Sequence, residues 1–141
     1  MAKPLAQRIE EATEAVISAV LTDAQTLHFG ELEEAGKNYI LVRAVRVAED
    51  PPTSGIFAHD VNVIAHGNFS DSDIDELEEL LNNANELAGA LRTQGSGSFV
   101  MPQGQAVEID GNTKSGQQLD EEFQYNFGIW AQTQEVSDAA A

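Results

Sequence analysis

The chain has 141 residues, enough for one ordinary domain with a single core, and a second domain is not expected. It contains no cysteine, which excludes disulfide frameworks, thiolate metal sites and cysteine nucleophiles. Seven lysines and arginines face 24 acidic residues, a net charge of −17 that repels a phosphate backbone and excludes ordinary nucleic-acid binding. Such acidity suits solubility or a salty habitat, a basic partner, or a surface that DNA passes without adhering.

Pro4 suits the start of a helix, and Leu5, Ile9, Ala12, Val16 and Val20 follow at steps of three and four. This spacing predicts a helix over residues 4–21. Its apolar runs are far too short for a membrane span, and Glu10, Glu11 and Glu14 stand where a cleaved signal would carry basic residues. Residues 22–37 show no clear period and are read as a loop or a short extra strand.

The stretch NYILVRAVRV from Asn38 alternates on two tracks. Tyr39, Leu41, Val45 and Val47 lie on one face, with Ile40, Val42 and Ala44 on the other. A strand that is apolar on both sides is expected to be covered twice, by its own domain and by another layer or subunit. Pro51 and Pro52 then break regular structure and mark an exposed tip. IFAHDVNVIAH resumes a strand, with Phe57, Val61, Val63 and Ala65 inward and Asp60 and Asn62 outward. The two strands are expected to form an antiparallel hairpin over residues 38–66.

SDSDIDELEELLNNANELAGAL carries the strongest helical period, with Ile74, Leu77, Leu81, Ala84, Ala88 and Leu91 in one stripe. Ser70 or Ser72 can cap it, and Asp71, Asp73, Asp75 and Glu76 sit where the helix dipole favours negative charge. A helix over residues 71–91 is predicted. The alternating acids of DSDIDE do not make a calcium loop, since the sixth place is Glu76 and the twelfth is Asn82.

Short strands are expected over residues 98–133. The last, EFQYNFGIWAQ, alternates Phe123, Tyr125, Phe127 and Ile129 with Gln124, Asn126, Gly128 and Trp130. Before it, DGNTKSGQQLDE begins with Asp110 and ends with Glu121, like an EF-hand loop. Its fifth place, however, is Lys114 and its sixth Ser115, where calcium needs an oxygen donor and a glycine. A hairpin loop is the better reading. The tail, residues 134–141, is expected to be loose.

His28, His59 and His66 lack a zinc spacing. His59 and His66 have opposite strand parity and should point apart, so surface or strand-end roles are expected. No serine stands in a nucleophile elbow and no glycine-rich run matches a phosphate or dinucleotide loop. No metal, cofactor or catalytic residue is assigned, and nothing requires an enzyme.

The order helix, strand, strand, helix, strands predicts an α+β domain spanning residues 1–141. An antiparallel sheet of four to five strands should carry two helices. With both helices on one face, Ile40, Val42 and Trp130 on the other lack a partner within the chain and become candidate subunit-interface residues.

In this order, the amphipathic first helix (LAQRIEEATEAVISAVL), the strand pair with an extended tip, the helix DELEELLNNANELAGAL and the final aromatic strand make the chain resemble the tail terminator proteins of long-tailed bacteriophages, over about residues 4–133. The resemblance is one of order and pattern and brings no motif residues. It implies a virion protein, made in the host cytoplasm, that forms a homo-oligomeric ring, commonly a hexamer. Such a ring caps the tail tube and joins it to a neck or stopper protein, with DNA as passing cargo through an acidic channel. The tip formed by Glu49, Asp50, Pro51, Pro52, Thr53 and Ser54 becomes the candidate contact with an adjacent virion component. Another neck or head–tail joining protein, or a free cytoplasmic acidic module for a basic partner, remains open as an alternative.

Overall fold

The computed structural model describes residues 3–21, 27–30, 38–49, 52–67, 69, 71–102, 106–109 and 122–133. Along the chain run α1 (Leu5–Val20), β1 (Leu27–Phe29), β2 (Asn38–Glu49), β3 (Phe57–His66), α2 (Asp71–Leu81), α3 (Ala84–Gln94), β4 (Phe99–Val100), β5 (Val107–Ile109) and β6 (Glu122–Thr133). This is the expected α+β class, with antiparallel pairing through the long strands and helices packed against them.

The long strands lie in the order β2-β3-β6. β1 adds in parallel to the start of β2, and β4 and β5 pair end to end along the far side of β6. β2 and β3 form the expected hairpin, in register from Tyr39 opposite His66 to Glu49 opposite Phe57. Arg46 pairs with His59 and Ala48 with Ala58, so Val47 is the extra residue of a bulge. The strand Leu27–Phe29 supplies part of the stretch that shows no period in sequence.

Pleating sends alternate side chains to opposite faces. The inner face holds Ile40, Val42, Ala44, Val61, Val63, Ala65, Tyr125, Phe127 and Ile129, all buried with Leu5, Ile9, Val16, Leu77, Leu87 and Leu91 from the helices. In α1 the three-four spacing places these apolar residues on one stripe. Thr13 is tolerated there because its hydroxyl donates to the Ile9 carbonyl at 2.8 Å. Arg8, also buried, fastens the start of α1 to a distant loop, its Nε donating to the Lys3 carbonyl at 2.9 Å and its Nη1 to the Ser98 carbonyl at 2.7 Å.

The single helix expected over residues 71–91 is two helices. Asn82 and Asn83 interrupt it, and the Asn83 side chain accepts the Glu86 backbone N–H at 3.1 Å, capping α3. An asparagine side chain that offers a backbone donor a local partner favours a new start over continuation. α3 stops at Gly95, where the ring of Phe99 sits so close that a Cβ would lie 2.4 Å from it.

Two expectations about placement are corrected. Ile40 and Val42 are fully packed inner-face residues, 0% and 7% exposed, and do not share a face with Trp130. The two apolar tracks of β2 look alike in sequence. It is the other track, carrying Val45, that the helices leave uncovered. His59 is likewise inward, 1% exposed and two residues from the start of β3, where a surface or strand-end role was expected.

Candidate functional site

On the outer face no described helix covers the sheet. The registers set its side chains in rows across the strands. Leu41, Ile64 and Gln124 form one row; Arg43, Asn62 and Asn126 the next; Val45, Asp60, Gly128 and Glu108 the third; Ala48, Ala58 and Trp130 the fourth. Asn62 Nδ2 donates to Asn126 Oδ1 at 2.6 Å, a cross-strand bond directly over the pleat.

At the β2 side this face is open, with two exposed valines next to exposed Arg43. Val45 is 62% and Val47 59% exposed, the most exposed large hydrophobic side chains among the described residues. Beyond Ile40, no described strand pairs with the outer edge of β2, so backbone groups there face outward. One of them is occupied: the Ala44 N–H donates to Glu10 Oε2 of α1 at 2.9 Å. Arg46, on the inner side of the same strand, lies over the ring of Phe57 at 4.0 Å from its centroid.

Farther across, the third and fourth rows enclose an open depression of about 460 Å³. Gly128 is its floor, Asp60 and Glu108 stand on either side, Trp130 and Val47 form one end and Asn126 the other. Asp60 and Glu108 are both exposed.

The hairpin tip is organised by one carboxylate. Glu49 Oε1 accepts the Thr53 N–H at 3.0 Å and Oε2 the Gly55 N–H at 2.8 Å, while Thr53 holds the left-handed backbone with φ +64°. That conformation is costly for a β-branched residue. Pro52 and Thr53 are exposed and Ser54 half-buried; Asp50 and Pro51 lie outside the described residues. So does the Asp110–Glu121 loop, including Lys114 and Ser115, and so does the tail from residue 134.

Beneath the outer face His59 Nδ1 lies 3.0 Å from the Phe57 carbonyl, and burial is the main cause that holds its pKa below the ordinary histidine value. A depressed folded-state pKa means that the unfolded chain takes up more protons as pH falls. Stability from this residue is therefore present above about pH 6.5 and is lost as pH drops through and below that value. Thermal melts from pH 8 to 5 are expected to show a steeper loss of Tm for the wild type than for His59→Asn, which keeps a donor for Phe57 but does not titrate. Parallel curves would remove His59 from the pH response. Tyr125, also fully buried, has its phenol pKa raised above the usual value by burial and by the nearby Glu78 carboxylate.

Among the described residues no group of three or more His, Asp or Glu side chains is placed to hold a metal ion, and no helix is long and apolar enough to cross a membrane. Of the residues singled out in sequence, Trp130 alone of its proposed set lies on the open face. Asp60, Glu108 and Gly128, which the fold brings into one row, were not singled out as a set. The available signal was a glycine at an outward position of an otherwise strong strand. No protein-family model matches the chain, and no curated protein matches it.

Proposed function

We propose that the chain is a structural virion protein, a ring-forming tail terminator that caps a phage tail tube and joins it to the neck, with DNA passing through an acidic channel. The observation that carries the assembly part of this reading is the outer face at the β2 edge, which no described helix covers and no described strand pairs beyond Ile40, and where Val45 and Val47 stand exposed. An apolar strip of this kind marks a contact surface. A contact between two different patches of one chain generates a ring when its rotation closes. The order of elements supports the specific assignment to a tail terminator, and the charge of −17 suits a wall that phosphate slides past.

The purified chain is expected to form a discrete oligomer by size exclusion with light scattering, seen as rings by electron microscopy, and to bind the ends of tail tubes. Val45→Lys with Val47→Lys is expected to weaken each subunit contact by roughly 2–3 kcal/mol, about a hundredfold, with Tm little changed because both side chains are already exposed. These lysines also reduce the net negative charge, so the loss could not come from added self-repulsion. A wild-type chain that stays monomeric at high concentration and leaves tube ends bare would overturn the reading.

A further inference from the structure

Gly128 occupies a position where glycine is unfavourable. It lies in the interior of β6 with strands on both sides, where lack of a side chain weakens a strand. The fold itself does not require it. Its backbone is not in the left-handed region, and the nearest neighbours of a Cβ there would be the Glu108 and His59 carbonyl oxygens and Cζ3 of Trp130, each at 3.8 Å, ordinary contact distance. A Cβ could therefore be added at Gly128, beside the Trp130 ring edge, without displacing any of these neighbours. With no bulge at this point of either ladder, the remaining use of such a strand glycine is close approach by a ligand or another chain.

The walls give the chemistry of that group. Asp60 and Glu108 are the direct cross-strand partners of Gly128, one on each neighbouring strand, so their backbones stand about 10 Å apart across the depression. Trp130 lies two residues along β6 on the same face, with its ring edge leaning toward Gly128. Val47 adds an apolar rim, and Asn126 a side-chain amide at the opposite end. An aromatic face, an apolar rim and carboxylates on two sides fit a flat, weakly hydrated cation on an apolar stem. The chain's net charge of −17 favours the approach of such a group over any anion.

We propose that the Gly128 depression is a docking site for an arginine side chain presented by a basic segment of another protein. The guanidinium stacks on Trp130 between Asp60 and Glu108, and its methylene stem passes over Gly128 toward Val47. This site adjoins the subunit contact at the β2 edge and shares Val47 with it, whereas Asp60, Gly128, Glu108 and Trp130 lie farther across the sheet on β3, β6 and β5.

Trp130 is the only tryptophan, so its fluorescence reads the site directly. Titration with N-acetyl-arginine methylamide is expected to change that emission saturably, with a Kd of about 1–10 mM, as suits one side chain on an open surface. The lysine analogue should bind at least about threefold more weakly, and the uncharged citrulline analogue should give no saturable change. Gly128→Val fills the floor from a position where a Cβ already fits. It is expected to abolish the response while Tm holds or rises, since valine favours a strand. Asp60→Asn should weaken binding severalfold without displacing Trp130. Equal responses to arginine and citrulline, equal affinity for lysine, or undiminished binding by a folded Gly128→Val variant would each overturn the proposal. So would a tryptophan spectrum that shifts with the concentration of the Val45→Lys variant alone, because the occupant would then be a second copy of this chain. Run on the Val45→Lys variant, which weakens the β2-edge contact and leaves Val47 in place, the titration reads the site without assembly, so its failure is distinguishable from failure to form a ring.

Discussion

Phe127→Ala is expected to lower Tm by about 10–20 °C. The ring is 2% exposed on the inner face of β6, with Val61 opposite on one neighbouring strand and Ile109 on the other. Strands on both sides limit how far the backbone can move inward, so the truncation leaves a cavity instead of a collapsed site. Phenylalanine-to-alanine changes in such cores cost about 3–5 kcal/mol, a large part of the roughly 5–15 kcal/mol that holds a domain folded. At this chain length each kcal/mol is worth roughly 3–5 °C. The internal control is Gln124→Ala, exposed on the other face of the same strand, expected within about 0.5 kcal/mol of wild type. Equal melts for the two variants would mean that the faces of β6 are wrongly assigned.

Arg8→Ala is expected to destabilise by about 2–4 kcal/mol, measured as a lower urea midpoint with unchanged slope. The side chain is 8% exposed, and its charge is accommodated by the carbonyls of Lys3 and Ser98. Hydrogen bonds from a charged group contribute about 1.5–3 kcal/mol, and removal also strands acceptors and opens the space its stem filled. Arg8→Lys should rescue little, because one ammonium does not reproduce a guanidinium that donates through Nε and Nη1 in two directions. A variant within about 0.5 kcal/mol of wild type would show that α1 holds its place through its apolar stripe alone.

The long elements were legible because each repeats one period over many residues. α1 follows from its three-four spacing, and the inward sets of β3 and β6 follow from alternation. Three features were hidden for identifiable reasons. The break between α2 and α3 depends on a side-chain cap from Asn83, which competes with a continuing period and leaves the apolar stripe intact. The face of β2 that meets the helices cannot be chosen from a strand apolar on both tracks, so Ile40 and Val42 were assigned outward although they are core. The row Val45, Asp60, Gly128, Glu108 joins four strands whose register exists only after folding. Asp60 was read correctly as outward, but nothing local connects it with a glutamate 48 positions away.

The pairing of β3 with β6 has a consequence for how the chain is made. Partners across that ladder are separated by 56 residues at His66–Glu122 (122 − 66) and by 74 at Phe57–Ala131 (131 − 57). At about 5–20 residues per second, β3 waits on the ribosome for roughly 3–15 s before its central partner emerges. β2 is better placed during that wait, because α1 is made before it and Glu10 can already occupy the Ala44 N–H. The far edge of β3 has no such guard among the described residues, and its Val61, Val63 and Ala65 remain without β6 beside them. Slower elongation after residue 66 therefore lengthens the period in which the nascent chain can pair wrongly, whereas a pause just after α1 comes before any long strand has been made.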